Sequence, residues 1–145
     1  MIASTSRIVS VAVLIAQCTM AQGAPANEPR IDYLLHCGGC HGMEGHGAPP
    51  IVPSLHSASG LLARVPAGRE YLIRVPGSSQ SRLDNAALAR VLTWMLESFS
   101  ADTLPDDFRP YSEREVARGR MHVLKDPLRR RAEIAAMQTT SQPEI

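Results

Sequence analysis

Cys37-Gly38-Gly39-Cys40-His41 constrains this chain more than any other stretch. Two thiols at this spacing can each add to one vinyl group of a porphyrin, and the histidine that follows directly is then held under the iron as an axial ligand. The two glycines keep Cβ atoms out of the way where the backbone passes a flat macrocycle. The expected cofactor is one covalently attached haem c, with Cys37 and Cys40 as thioether positions and His41 as proximal ligand of the haem iron.

Two other chemistries use a Cys-x-x-Cys pair. A thioredoxin-like redox disulfide needs alternating strands and helices, and no convincing strand run surrounds the motif. A zinc site needs four ligands, usually with a second Cys or His pair, but His36, His46, His56 and His122 are scattered. A plain structural disulfide is the third alternative.

Residues 1–23 read as a cleavable signal peptide, with Arg7 as the positive n-region. Ile8 to Ala16 is an apolar run broken only by Ser10, and Ala21-Gln22-Gly23 puts small residues at −3 and −1. The run is short for a membrane span, so export to the periplasm is expected, with no stable membrane insertion after cleavage. Gln17 is bulky where a lipoprotein signal before Cys18 wants a small residue, so Cys18 is expected to leave with the leader. The two remaining cysteines then both belong to the motif.

About 120 mature residues suffice for one small domain plus a tail. Aromatic residues make up only 4% of the chain, and a buried haem would supply apolar surface that the protein lacks. Net charge near zero gives no general case for nucleic acid or membrane binding. The charge is uneven, however: residues 24–108 carry six Arg against nine Asp and Glu, whereas residues 109–131 carry seven Arg and Lys125 against Glu113, Glu115 and Asp126.

Hydrophobic spacing organises the chain. Ile31, Leu34 and Leu35 mark one face of a short helix leading into Cys37, with Pro29 in its first turn. A Gly/Pro-rich loop follows, through Gly42, Gly45, Gly47, Pro49, Pro50 and Pro53. A brief helix is expected from Arg69 to Arg74 and a polar loop from Ser78 to Ser81. The strongest helix is 85–99, capped by Asp84, with Leu88, Val91, Leu92, Met95 and Phe99 as its stripe. Leu104 to Asp107 is a break. Ser112 with Glu115 opens a basic helix over 113–123, Pro127 interrupts it, and a second basic helix runs from Leu128 to Met137. The last eight residues are expected to be disordered.

This order resembles a class I cytochrome c. A helix leads into Cys37-x-x-Cys40-His41, Pro53-x-Leu55 follows in a Gly/Pro loop, and an amphipathic helix bearing Trp94 closes the domain. The resemblance covers roughly residues 28–100. It implies an all-α fold: a small haem domain over 24–104, here with a basic helical extension over 105–145. It also implies that a proline carbonyl accepts a hydrogen bond from the proximal imidazole, which by spacing is Pro53, with Pro50 as runner-up. Gly68-Arg69-Glu70-Tyr71-Leu72, Val75-Pro76-Gly77 and Phe108-Arg109-Pro110-Tyr111 are further similar to small cytochromes associated with periplasmic dehydrogenases.

One departure concerns the sixth ligand. The family places a methionine in the loop before the closing helix, but Val75 to Arg82 contains no Met, His or Lys. Met95, His56, Met121 and His122 are the remaining candidates, beside an open sixth position. Met43 and His46 belong to the proximal side. The expected function is one-electron transfer in a periplasmic chain rather than enzymatic catalysis. Its partners would be a donor dehydrogenase and an acceptor, with the basic tail as a possible docking element. The alternative is a five-coordinate haem protein that binds a small ligand or peroxide. A non-haem thiol protein is the third reading.

Overall fold

The computed structural model describes residues 28–140. The expected leader, Cys18 and residues 141–145 lie outside the described residues. In chain order the helices are α1 (Pro29–His36), α2 (Gly38–His41), α3 (Ala58–Ala63), α4 (Pro66–Arg74), α5 (Pro76–Ser79), α6 (Asn85–Phe99), α7 (Glu113–Arg120) and α8 (Pro127–Thr140), with a 3₁₀ turn at Ala101–Thr103. The only extended pairing among the described residues is an isolated bridge between Ala48 and Val52. The expected all-α class therefore holds. No helix of the described residues is long and apolar enough to cross a membrane.

The expected span of α6 matches the observed one. Asp84 accepts a hydrogen bond from the Ala87 amide at 2.7 Å, satisfying one of the free N–H groups of the first turn. Leu88, Val91, Leu92 and Met95 are buried along its stripe, joined by Leu96. The helix α1 packs across α6, with Leu34 of the expected face partly buried against the core but its two neighbours on that face turned outward. Ile31 and Leu35 are 42% and 69% exposed, whereas Tyr33 is fully buried. The ring of Tyr33 meets Trp94 and Phe99, each at 5.3 Å. A buried aromatic side chain outweighs two aliphatic ones in deciding which way this short helix faces.

Prolines move two other boundaries. Helix α4 begins at Pro66 rather than Arg69, because a proline at the first position lacks an N–H that would go unpaired there anyway. Pro76 likewise starts the short turn α5, where a polar loop was expected. Gly68 lies inside α4, against the backbone of Leu62 in α3, where a Cβ would collide with the Leu62 carbonyl. Glycine is required there by the close approach of the two helices.

The segment expected as an extension shares the core of the rest of the chain. Tyr111, Val116 and Ile134 are buried in the same core as α4 and α6. Helix α7 ends at Arg120, three residues earlier than expected, since the chain turns to engage α4. The Arg74 guanidinium donates to His122 O at 2.6 Å and the Leu124 amide donates to Arg74 O at 3.0 Å. Helix α8 runs past Met137 to Thr140, and Gln138 donates to Leu61 O at 2.7 Å. Residues 138–140, expected to be disordered, are thus helical.

Gly68→Ala should cost about 1–3 kcal/mol through overpacking between α3 and α4. Thermal unfolding of the variant checks this, and an unchanged midpoint would contradict the close approach.

Candidate functional site

The motif forms a single turn. Cys37 ends α1, its amide donating to Tyr33 O at 2.8 Å, and also begins α2, where its carbonyl accepts from the His41 amide at 3.0 Å. Positions 37, 40 and 41 are related as i, i+3 and i+4, so the two sulfurs and the imidazole share one face of the turn. The thiols are free, Cys37 half-buried and Cys40 exposed. Neither intervening glycine is demanded by protein packing. A Cβ at Gly39 would meet nothing within 4 Å, and one at Gly38 only ordinary contacts at 3.7 Å. The turn exits through Gly42 at φ 76°, a conformation suited to glycine. The Tyr33 hydroxyl fastens this exit, donating to Gly42 O at 2.7 Å. Burial, together with Cys37 and Glu44, pushes the Tyr33 phenol up to about 12, so it stays a proton donor.

The following loop folds back under the imidazole. The Gly47 amide donates to His41 O at 2.8 Å, Ala48 and Val52 exchange backbone hydrogen bonds, and the Leu55 amide donates to Gly45 O at 2.8 Å. This brings the Pro53 carbonyl to 3.1 Å from His41 Nδ1. The His41 Nδ1–H donates to it, which assigns the tautomer and leaves Nε2 as a free lone pair. Pro53, not Pro50, is the partner. Burial holds His41 below the ordinary imidazole pKa, opposed by the Pro53 bond, so the ring stays neutral. Gly47 has φ 66°, and a Cβ there would lie 2.6 Å from Val52 O and 2.7 Å from Pro53 O. Glycine is what lets this carbonyl reach the histidine.

The four side chains that the resemblance leaves as candidate ligands are dispersed. Met95 is buried in α6 among the core residues. His56 stays with the loop after the motif: its Nε2–H donates to Glu44 O at 2.6 Å and its ring stacks on His46 at 4.6 Å. These two contacts hold the ring within the loop that follows the motif. Met121 and His122 are exposed on the turn after α7. That turn is pinned beside the ligand-poor loop by Arg120, which donates to Ser79 O, Leu83 O, Asn85 Oδ1 and Ser81 O at 3.0, 2.7, 3.2 and 2.6 Å.

Sequence reasoning missed Tyr33, Gly47 and Arg120. Tyr33 lies one helical turn before Cys37, a spacing that could have flagged it. The roles of Gly47 and Arg120 depend on contacts that periodicity does not encode.

Cysteine chemistry narrows the alternatives. Burial, with the Cys40 thiol adding to it, pushes the Cys37 thiol up to about 11. A redox-active Cys-x-x-Cys pair works through a thiol shifted the other way. Among the described residues no group of three or more His, Cys, Asp or Glu side chains is arranged to hold a metal ion, which counts against a four-ligand zinc site. No family model matches the sequence, and no curated protein matches it either.

Gly47→Ala should push Pro53 O away from His41 and release the fixed tautomer. Nitrogen-15 NMR of the imidazole in the unloaded protein would show this as mixed Nδ1–H and Nε2–H forms. A single Nδ1–H form in the variant would disprove the dependence on Gly47.

Proposed function

We propose that this protein is an exported mono-haem c-type cytochrome, a one-electron carrier between a periplasmic dehydrogenase and an acceptor, built on a class I cytochrome c-like haem domain. The observation that carries the reading is the His41–Pro53 pair beneath a turn presenting both cysteines. An imidazole whose Nδ1–H is committed to a backbone carbonyl, and whose Nε2 is free, is prepared to bind a metal. The residues fit a haem in composition as well. Cys37 and Cys40 would hold it covalently, the space outside Gly39 is unfilled by protein, and the exposed apolar residues Leu35, Met43 and Ile51 flank the motif and Pro53 in sequence.

When bound, the haem supplies the redox change, its iron alternating between ferric and ferrous states. The chain's own part is positional. His41 keeps a neutral donor nitrogen aimed by Pro53, the Tyr33 hydroxyl holds the end of the turn, and the loop through Gly45 packs on Phe99. No proton need be held or moved by a side chain for one-electron transfer.

A second reading, a five-coordinate haem protein binding a small ligand or peroxide, is favoured by one observation. Met95 is committed to the core and His56 to the proximal loop, and the loop from Val75 to Arg82 has no ligating side chain.

Expression of the full chain in cells that mature c-type cytochromes should yield covalent haem in a pyridine haemochrome assay, and the yield should fall in Cys37→Ala and Cys40→Ala. Absence of covalent haem in the parent chain would overturn the reading. Carbon monoxide separates the two haem functions. A ferrous protein that resists rapid binding supports the carrier, whereas ready uptake with high-spin ferric bands supports the open site. Met95→Leu should leave the haem spectrum unchanged in either case.

A further inference from the structure

Away from the motif turn and its loop, the end of α3, the start of α4, the break before α7 and α7 itself line a half-open cavity of about 450 Å³. Four arginines line it, Arg64, Arg69, Arg109 and Arg118, along with Phe108 and Asp107. A volume of this size is typical of sites for small organic ligands, roughly 300–1,000 Å³.

The four arginines are not equivalent. Arg69 is fully engaged: Nε and Nη2 donate to the two carboxylate oxygens of Glu115 at 3.0 and 3.1 Å, and Nη1 donates to Arg109 O at 2.9 Å. Its guanidinium also lies 4.2 Å from the Tyr111 ring centre and 5.5 Å from that of Phe108. Glu115 is thereby neutralised within the wall. Arg64 is anchored through Nε, which donates to Thr103 O at 2.8 Å. The guanidinium groups of Arg109 and Arg118 have no hydrogen-bond or ion-pair partner among the described residues.

With Arg69 and Glu115 matched, three cationic side chains face Asp107 alone. Guanidinium groups in excess around a concave space match carboxylate and phosphate oxygens through paired N–H donors. Phe108 adds an apolar edge that a bare inorganic ion does not need. We infer that this cavity binds a small organic polyanion bearing phosphate or carboxylate groups. Arg109 and Arg118 take its charged ends, and Phe108 packs on its carbon skeleton. Concavity favours a small molecule over the acidic surface of a partner protein, which needs a flatter and larger footprint. The inference is independent of the haem reading.

Isothermal titration calorimetry of the purified full-length protein tests it, with fructose 1,6-bisphosphate and citrate as separate probes at low salt. Saturable one-site binding of at least one probe is expected, and the preferred probe distinguishes phosphate from carboxylate recognition. The double variant Arg109→Ala, Arg118→Ala should weaken binding about tenfold or more, as loss of charge-assisted hydrogen bonds requires. Asp107→Asn should strengthen binding by removing the like charge. Arg114→Ala, on α7 but outside the cavity, should leave it unchanged. Arg109 and Arg118 are exposed and unpaired, so the double variant should keep the parent melting temperature, and circular dichroism verifies this. No saturable binding of either probe, equal binding by the double variant, or an equal loss in Arg114→Ala would overturn the site. A hexaglutamate peptide that binds while neither small anion does would move the surface to a protein partner and overturn it as well.

Discussion

Tyr33 packs its ring between Trp94 and Phe99 while its hydroxyl reaches Gly42 O. The two remaining rings also meet each other at 5.3 Å, nearly edge to face. A cluster of this kind adds about 0.5–1.5 kcal/mol per pair beyond the area it buries. Its main effect is geometrical, because it joins the first helix to the closing helix one turn ahead of the cysteines. Phe99 in turn lies against Gly45 so closely that a Cβ there would be 2.9 Å from the ring. The motif turn and the loop beneath it therefore hang from the same three rings. The position of Pro53 O relative to His41 is a consequence of that attachment.

Legibility in the sequence followed locality. The pentapeptide, the Asp84 and Ser112 caps and the α6 stripe are set by neighbours a turn or less away, and each was read from spacing. Pro53 was assigned through the resemblance to class I cytochromes c, and the hydrogen bond to His41 is present. The face of α1 was misread because periodicity counts Ile31 and Leu35 as equal to any apolar residue, whereas burial of the Tyr33 ring decides the orientation. The capping motif at α7 was read in half. Ser112 accepts from the Glu115 amide at 3.2 Å, but the Glu115 carboxylate is drawn away to Arg69, 46 positions earlier. An ion pair between distant segments leaves no periodic trace.

Residues 105–140 close over the helices that precede them. Helix α7 lies against α4 and α6, and Gly119 approaches Ile73 so closely that a Cβ would be 2.6 Å from Cγ2. Beyond it, Arg120 binds four oxygens between Ser79 and Asn85 with one planar group. Few residues other than arginine carry enough fixed donors for this. The loop so clamped is the one from which the resemblance would draw a sixth ligand. Its backbone is held although it offers no side chain for the purpose.

The same accounting changes the meaning of the basic tail. Read as composition, the arginines after position 108 suggest a docking element of one sign. In the folded chain part of that charge is matched locally: Arg120 by three carbonyl oxygens and the Asn85 side chain, and Arg129 and Arg130 by Glu133 at 2.9 and 3.2 Å. Exposed pairs such as these last two contribute little to stability, yet they reduce the field that reaches a partner. The unmatched guanidinium groups of Arg109 and Arg118 then stand out, because they line one cavity rather than a broad face. A charge surplus spread over a surface steers encounters over a Debye length of roughly 8–10 Å. Confined to a cavity beside an aromatic ring, it selects a ligand by shape and charge together.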